Sequence, residues 1–221
     1  MRIIETKAYQ FNELSPEAQA RAIKKWQDDE AGSGDNYWSE YVIEEAVQQG
    51  KLMGFSFKER SRKSASGKPL PGEPCIYWSG FWSQGDGACF EGRWSARACR
   101  ATEVCSGWGA SPSTTELLRI AAGFQELASA FPDASFRVKH RGHYSHEHCT
   151  EFDFSIADDD ILVNDGEIEQ AEQQLTDLSR SFMRWIYRQL ESAYEDHLSE
   201  ANACESILAN EYEFTEDGER I

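Results

Sequence analysis

The sequence predicts an α+β fold: an antiparallel sheet of two hairpins plus edge strands, packed against a helical hairpin and one long C-terminal helix. Three observations carry this. Two aromatic runs, Cys75–Trp82 and Ala88–Trp94, flank a loop containing Gly85-Asp86-Gly87, as in a β-hairpin. Phe152-Asp153-Phe154-Ser155-Ile156 alternates apolar and polar residues like a half-buried strand. From Ile168 through Leu175, Phe182, Trp185 and Leu190 to Leu198, apolar residues recur every three or four positions, the stripe of an amphipathic helix.

The elements follow in order. Residues 2–10 read as a short opening strand. Ser15-Pro16-Glu17 is a helix start: a capping hydroxyl, proline at the first helical position and an acid in the first turn. That helix places Ala18, Ala22, Ile23 and Trp26 on one face and breaks at Gly32-Ser33-Gly34. Asp35 is the expected cap of a second helix carrying Trp38, Tyr41, Val42, Ala46 and Val47, which stops near Gly50. Gly54–Lys58 alternates as a strand, and residues 60–74 read as a basic, mobile loop. Residues 95–112 are weakly patterned. Ser113-Thr114-Thr115-Glu116 has capping-box spacing and opens a helix through Leu117, Ile120, Phe124 and Leu127, ended by Pro132-Asp133. Residues 135–156 form the second hairpin, closed by Asp158-Asp159-Asp160. The long helix runs from about Asp165 to about Ser199, and the tail from Ala203 reads as a short helix with an exposed acidic end. No repeat or linker interrupts the chain, so residues 1–221 are expected to be a single domain with an acidic subregion at 151–221.

Composition narrows the function. The 221 residues are 40% hydrophobic and 12% aromatic, too apolar for a disordered chain. No run is long and apolar enough to span a bilayer, and Met1–Glu5 lacks the apolar stretch of a secretory signal. A membrane role is not expected, and the six cysteines are expected as reduced thiols. The net charge of −17 lies almost entirely at one end: residues 151–221 hold 20 Asp/Glu against four Arg, a balance of −16. Folding does not need such asymmetry, because self-repulsion opposes the compact state. The charge disfavours direct binding of nucleic acid and points to a basic protein partner, one whose surface ordinarily handles nucleic acid.

Three segments are candidates for chemistry. Around Gly85-Asp86-Gly87, Trp78, Phe81, Trp82 and Trp94 are candidate partner anchors if exposed, with Asp86 beside them. The same segment also reads as a pocket for a nucleotide-like ligand, or more plainly as a turn between core aromatics. Four of the five histidines lie between His140 and His148; His146 and His148 would share one strand face and are candidate zinc ligands, against a plain polar hairpin tip. Glu191, Glu195, Asp196 and Glu200 are candidate partner-binding acids, against a merely solvated face. No catalytic residue is assigned: the chain has no nucleophile elbow, P-loop or dinucleotide fingerprint.

Arg2–Lys7, Leu14–Ala18, Ser79–Ala88, Arg141–Tyr144 and Ala209–Gly218 together resemble a group of phage and prophage proteins labelled "antitoxin of toxin–antitoxin stability system". Phe81-Trp82-Ser83-Gln84-Gly85-Asp86-Gly87 is the most specific block. The resemblance implies a phage-encoded protein of the host bacterial cytoplasm and brings no catalytic residues. The leading expectation is therefore a non-enzymatic binding protein that neutralises a host defence, toxin or DNA-handling protein through an acidic, nucleic-acid-mimicking face. The alternatives are a binding or sequestering protein for a nucleotide-like signal at the aromatic hairpin, and a metal-dependent enzyme at His146 and His148.

Overall fold

The computed structural model describes residues 7–155 and 165–221. In chain order the elements are β1 (Tyr9–Gln10), α1 (Pro16–Ser33), α2 (Glu40–Leu52), β2 (Phe55–Phe57), β3 (Glu59–Lys63), β4 (Pro69–Pro74), β5 (Ile76–Ser79) and β6 (Gly87–Phe90). They continue with β7 (Gly92–Ser95), α3 (Pro112–Ala130), β8 (Ser135–His140), β9 (Thr150–Ser155), α4 (Asp165–His197), α5 (Glu200–Ala209) and β10 (Glu213–Phe214). This is an α+β fold, with antiparallel sheets and a long C-terminal helix. Its contacts gather into two compact units, residues 41–190 and residues 1–40 with 191–221.

The larger unit is built on a four-stranded antiparallel sheet of order β2-β7-β8-β9. Its register places Phe55, Trp94, Phe136 and Phe154 in one row. Because side chains alternate, the neighbouring row Ser56, Arg93, Arg137 and Asp153 points to the opposite face. The aromatic face is covered by α3 and α4: Phe55 meets Phe124 at 5.3 Å and Phe182 at 5.9 Å between ring centroids. Trp94 is fully buried and donates its Nε1–H to the Met53 carbonyl at 2.8 Å. Trp185 is likewise buried and donates to Ser113 Oγ at 2.9 Å. Each indole satisfies its one donor, which burial requires.

The smaller unit pairs α1 with α5 around Phe11, Leu14, Ala18, Ile23, Ala203, Ile207 and Phe214. Ser15 caps α1 by accepting from Ala18 N at 3.2 Å, and Gly34 ends it in the left-handed region. At the end of α4, His197 is buried against Trp26 and Tyr37, with its Nε2 3.2 Å from Glu30 Oε2.

Several expectations are corrected. Residues 60–74 form a hairpin: β3 pairs with β4 although all but Pro74 of the two strands is exposed, held by backbone hydrogen bonds between them. The run 88–94 is two strands. Its first part, β6, pairs with β5, while β7 pairs with β2 and β8, the partner changing at Glu91. Asp35 does not cap α2, which begins at Glu40 after a 3-10 turn over Tyr37–Ser39. α3 starts two residues earlier than its apparent capping box, with Ser111 accepting from Thr114 N at 3.0 Å and Pro112 in the first turn. The tail has the expected short helix, α5, and exposed acids, and it is also tied down: Phe214 is buried in β10, which pairs with β1, and Arg220 lies 3.5 Å over the Tyr212 ring. The opening strand is described only at Tyr9–Gln10, and Arg2–Thr6, Ile156 and Asp158–Asp160 lie outside the described residues.

Candidate functional site

Two of the three candidate segments, separate in sequence, meet in the larger unit. The loop between β5 and β6 is fastened from within. The Asp86 carboxylate accepts from Trp82 N at 3.1 Å and Ser83 N at 2.6 Å. Tyr187 on α4 donates its hydroxyl to the Gly80 carbonyl at 3.1 Å. Phe81 is sandwiched between Trp78 at 5.9 Å and Tyr187 at 5.5 Å. What the loop presents outward is Trp82, 79% exposed.

The glycines of this loop are explained by the neighbouring His-rich loop. Gly85 has φ +97°, and a Cβ there would sit 2.9 Å from the Tyr144 ring. A Cβ on Gly87 would lie 3.1 Å from the His146 backbone. The two loops therefore pack closely, and the positive φ of Gly85 favours glycine there.

His146 and His148 do not lie on a strand. His146 caps a 3-10 turn over Glu147–Cys149 and accepts from His148 N through Nδ1 at 3.2 Å. The turn still brings the rings together, stacked at 5.3 Å. It also adds a residue that the spacing argument passed over. Glu147 keeps only 8% of its side chain exposed, with Oε2 3.2 Å from His146 Nδ1 and Oε1 3.2 Å from Arg184 Nη1. The donor atoms of His146, Glu147 and His148 all lie within 4.8 Å of one another. Such a set suits a divalent metal in composition. Arg184 already supplies the cation for Glu147, however, and opposes a second one at that distance.

The remaining candidates divide. Trp94 is not a partner anchor; it is core, because the β7 register points it onto α3. Trp78 and Phe81 are half-buried in the loop stack, and Asp86 is spent on the loop's own N–H groups. Glu195, Asp196 and Glu200 are exposed on the smaller unit and Glu191 is half-buried. Glu191 and Glu195 are four apart on α4, hence neighbours on one helix face. Glu200 stands in the first turn of α5, where the helix dipole favours an acid. The smaller unit as a whole holds 18 Asp/Glu against six Lys/Arg, a balance of −12 out of −17.

All six cysteines are free thiols. Burial pushes the Cys89 thiol up to about 12 and the Cys105 thiol up to about 11, so neither is a nucleophile near neutrality. Among the described residues, no helix is long and apolar enough to cross a membrane.

Residues 38–200 match the model of a family described as a domain of unknown function (DUF8835), and the chain belongs to that family. No curated protein and no solved structure matches it.

Proposed function

We propose that this protein is a non-enzymatic binding protein that engages a basic, nucleic-acid-handling partner through the acidic surface of its smaller unit. The observation that carries this reading is the placement of the acid. The smaller unit holds 18 acidic against six basic residues, and those of the C-terminal segment belong to α4, α5 and the β10 region rather than to a loose tail. Carboxylates held at set spacings substitute for phosphates in a groove of Lys and Arg, whereas a flexible tail would serve solubility alone. Steering by such a face speeds association and weakens as salt screens it.

The phage origin, the bacterial cytoplasm and a host defence or toxin target follow from the resemblance of the Phe81–Gly87 block and its companion segments. They extend the reading to an inhibitor that neutralises that target. Trp82, 79% exposed, is a further candidate interface anchor on the larger unit.

The test changes Glu191→Gln, Glu195→Gln, Asp196→Asn and Glu200→Gln together. Full-length wild type and variant are used as bait in bacterial lysate at low and at moderate salt. Wild type is expected to hold a stoichiometric nucleic-acid-handling protein at low salt and release it as salt rises, with the variant holding at least about tenfold less. Equal capture by the variant, with the same salt response, rules out this face.

A further inference from the structure

The open face of the larger unit's sheet carries charge of the opposite sign. It forms a cleft of about 650 Å³ lined by Ser56, Lys58, Arg93, Arg137, Lys139 and Arg141. In a protein of net charge −17 this is a local inversion. Its centre is the pair Arg93 and Arg137, which are direct partners in the β7–β8 register. Like charges directly opposite on one sheet face destabilise the pairing.

The neighbouring charges do not relieve them. Lys58 binds Glu91 at 2.6 Å, Arg141 binds Glu151 at 3.0 Å, and Lys139 stands 3.8 Å from Asp153. Glu91 in the lining, and Glu151 and Asp153 on the neighbouring strand β9, are thereby each matched to one of the other three cations. Asp153 is the cross-strand partner of Arg137 and yet pairs with Lys139. Among the described residues, no carboxylate forms an ion pair with Arg93 or Arg137. His140 completes one end, with its Nε2 3.0 Å from the Tyr144 carbonyl.

We propose that Arg93 and Arg137 bind the phosphate group of a small phosphate ester of nucleotide size. Two adjacent guanidinium groups offer planar, two-pronged donors that match phosphate oxygens. Ser56, the next residue of that row, adds a hydroxyl. The volume lies in the range of small-molecule sites. Arg93 on β7 and Arg137 and Lys139 on β8 give the cleft a cationic floor of small-molecule size. The site is independent of the acidic surface of the smaller unit.

The full-length protein is titrated calorimetrically with pyrophosphate and with ADP, using adenosine and a single-stranded oligonucleotide as comparisons. Pyrophosphate and ADP are expected to bind, adenosine not. Arg93→Gln and Arg137→Gln are each expected to weaken binding by about tenfold or more, while Arg62→Gln, on the exposed β3 strand outside the cleft, leaves it unchanged. A second readout needs no ligand: removing one member of the like-charged pair should raise the unliganded Tm by about 1–3 °C. The proposal falls if wild type binds neither phosphate compound, or if both variants bind them as wild type does. It also falls if the oligonucleotide binds through these arginines more tightly than ADP, since the ligand is then a polymer.

Discussion

Replacing Arg184 with Met tests what the buried Glu147 carboxylate is for. Glu147 Oε1 lies 3.2 Å from Arg184 Nη1, a Coulomb attraction of about 5 kcal/mol at an effective dielectric of 20. The Arg184 side chain is 43% exposed, so water screens much of this and the net coupling should be about 1–2 kcal/mol. Removing Arg184 alone should cost more, about 2–3 kcal/mol, because it leaves an 8% exposed carboxylate without its cation. The double variant Arg184→Met with Glu147→Gln should recover part of that loss. Urea denaturation of the four proteins closes the cycle. Zinc supplies the sharper contrast. With Arg184 gone, His146, Glu147 and His148 remain as three donors within 4.8 Å and no competing guanidinium. Stoichiometric zinc should then raise the Tm of Arg184→Met and leave wild type unmoved. A coupling below about 0.5 kcal/mol, or equal zinc stabilisation of wild type, refutes the view that Arg184 holds this carboxylate.

Three further outcomes are expected. Trp94→Phe leaves the Met53 carbonyl without its 2.8 Å donor and should lower the unfolding free energy by about 1–3 kcal/mol in urea titration. Gly85→Ala places a methyl at φ +97° against the Tyr144 ring and should cost about 1–3 kcal/mol, while the same change at Gly67, φ +79° with open space around it, should cost less. Cys89 and Cys105 should resist alkylation of the native protein at pH 8 and react once it is unfolded, as read by mass spectrometry; burial raises both thiols to about 12 and about 11, so the native groups are protonated there.

Local signals suffice where the chain reports on itself. Ser15-Pro16 starts α1 because the hydroxyl and the proline act within one turn. The long stripe became α4 because a 3.6-residue period needs only a core on one side. They fall short where an element depends on distant partners. The loop 60–74 lacks an apolar face, so no periodicity announces that β3 pairs with β4. The run 88–94 looks like one strand, but Glu91 N bonds the Cys75 carbonyl and Lys58 N bonds the Glu91 carbonyl, which divides it between two sheets. Trp94 and Trp82 are the same residue type in one aromatic region. The β7 register buries Trp94, whereas the loop between β5 and β6 leaves Trp82 exposed.

The sequence alone determined the α+β class, the long helix and the acidic bias of the C-terminal end, because composition, capping and periodicity are local properties. Tertiary structure decided the rest. It folded the acidic tail through the β1–β10 pairing, seated Tyr144 on Gly85 and set Arg184 against Glu147. It also placed Arg93 opposite Arg137, 44 positions away in the chain. The reason is physical: charge–charge and side-chain contacts act over a few ångströms in space, and only strand register and helix packing bring such remote residues within that distance.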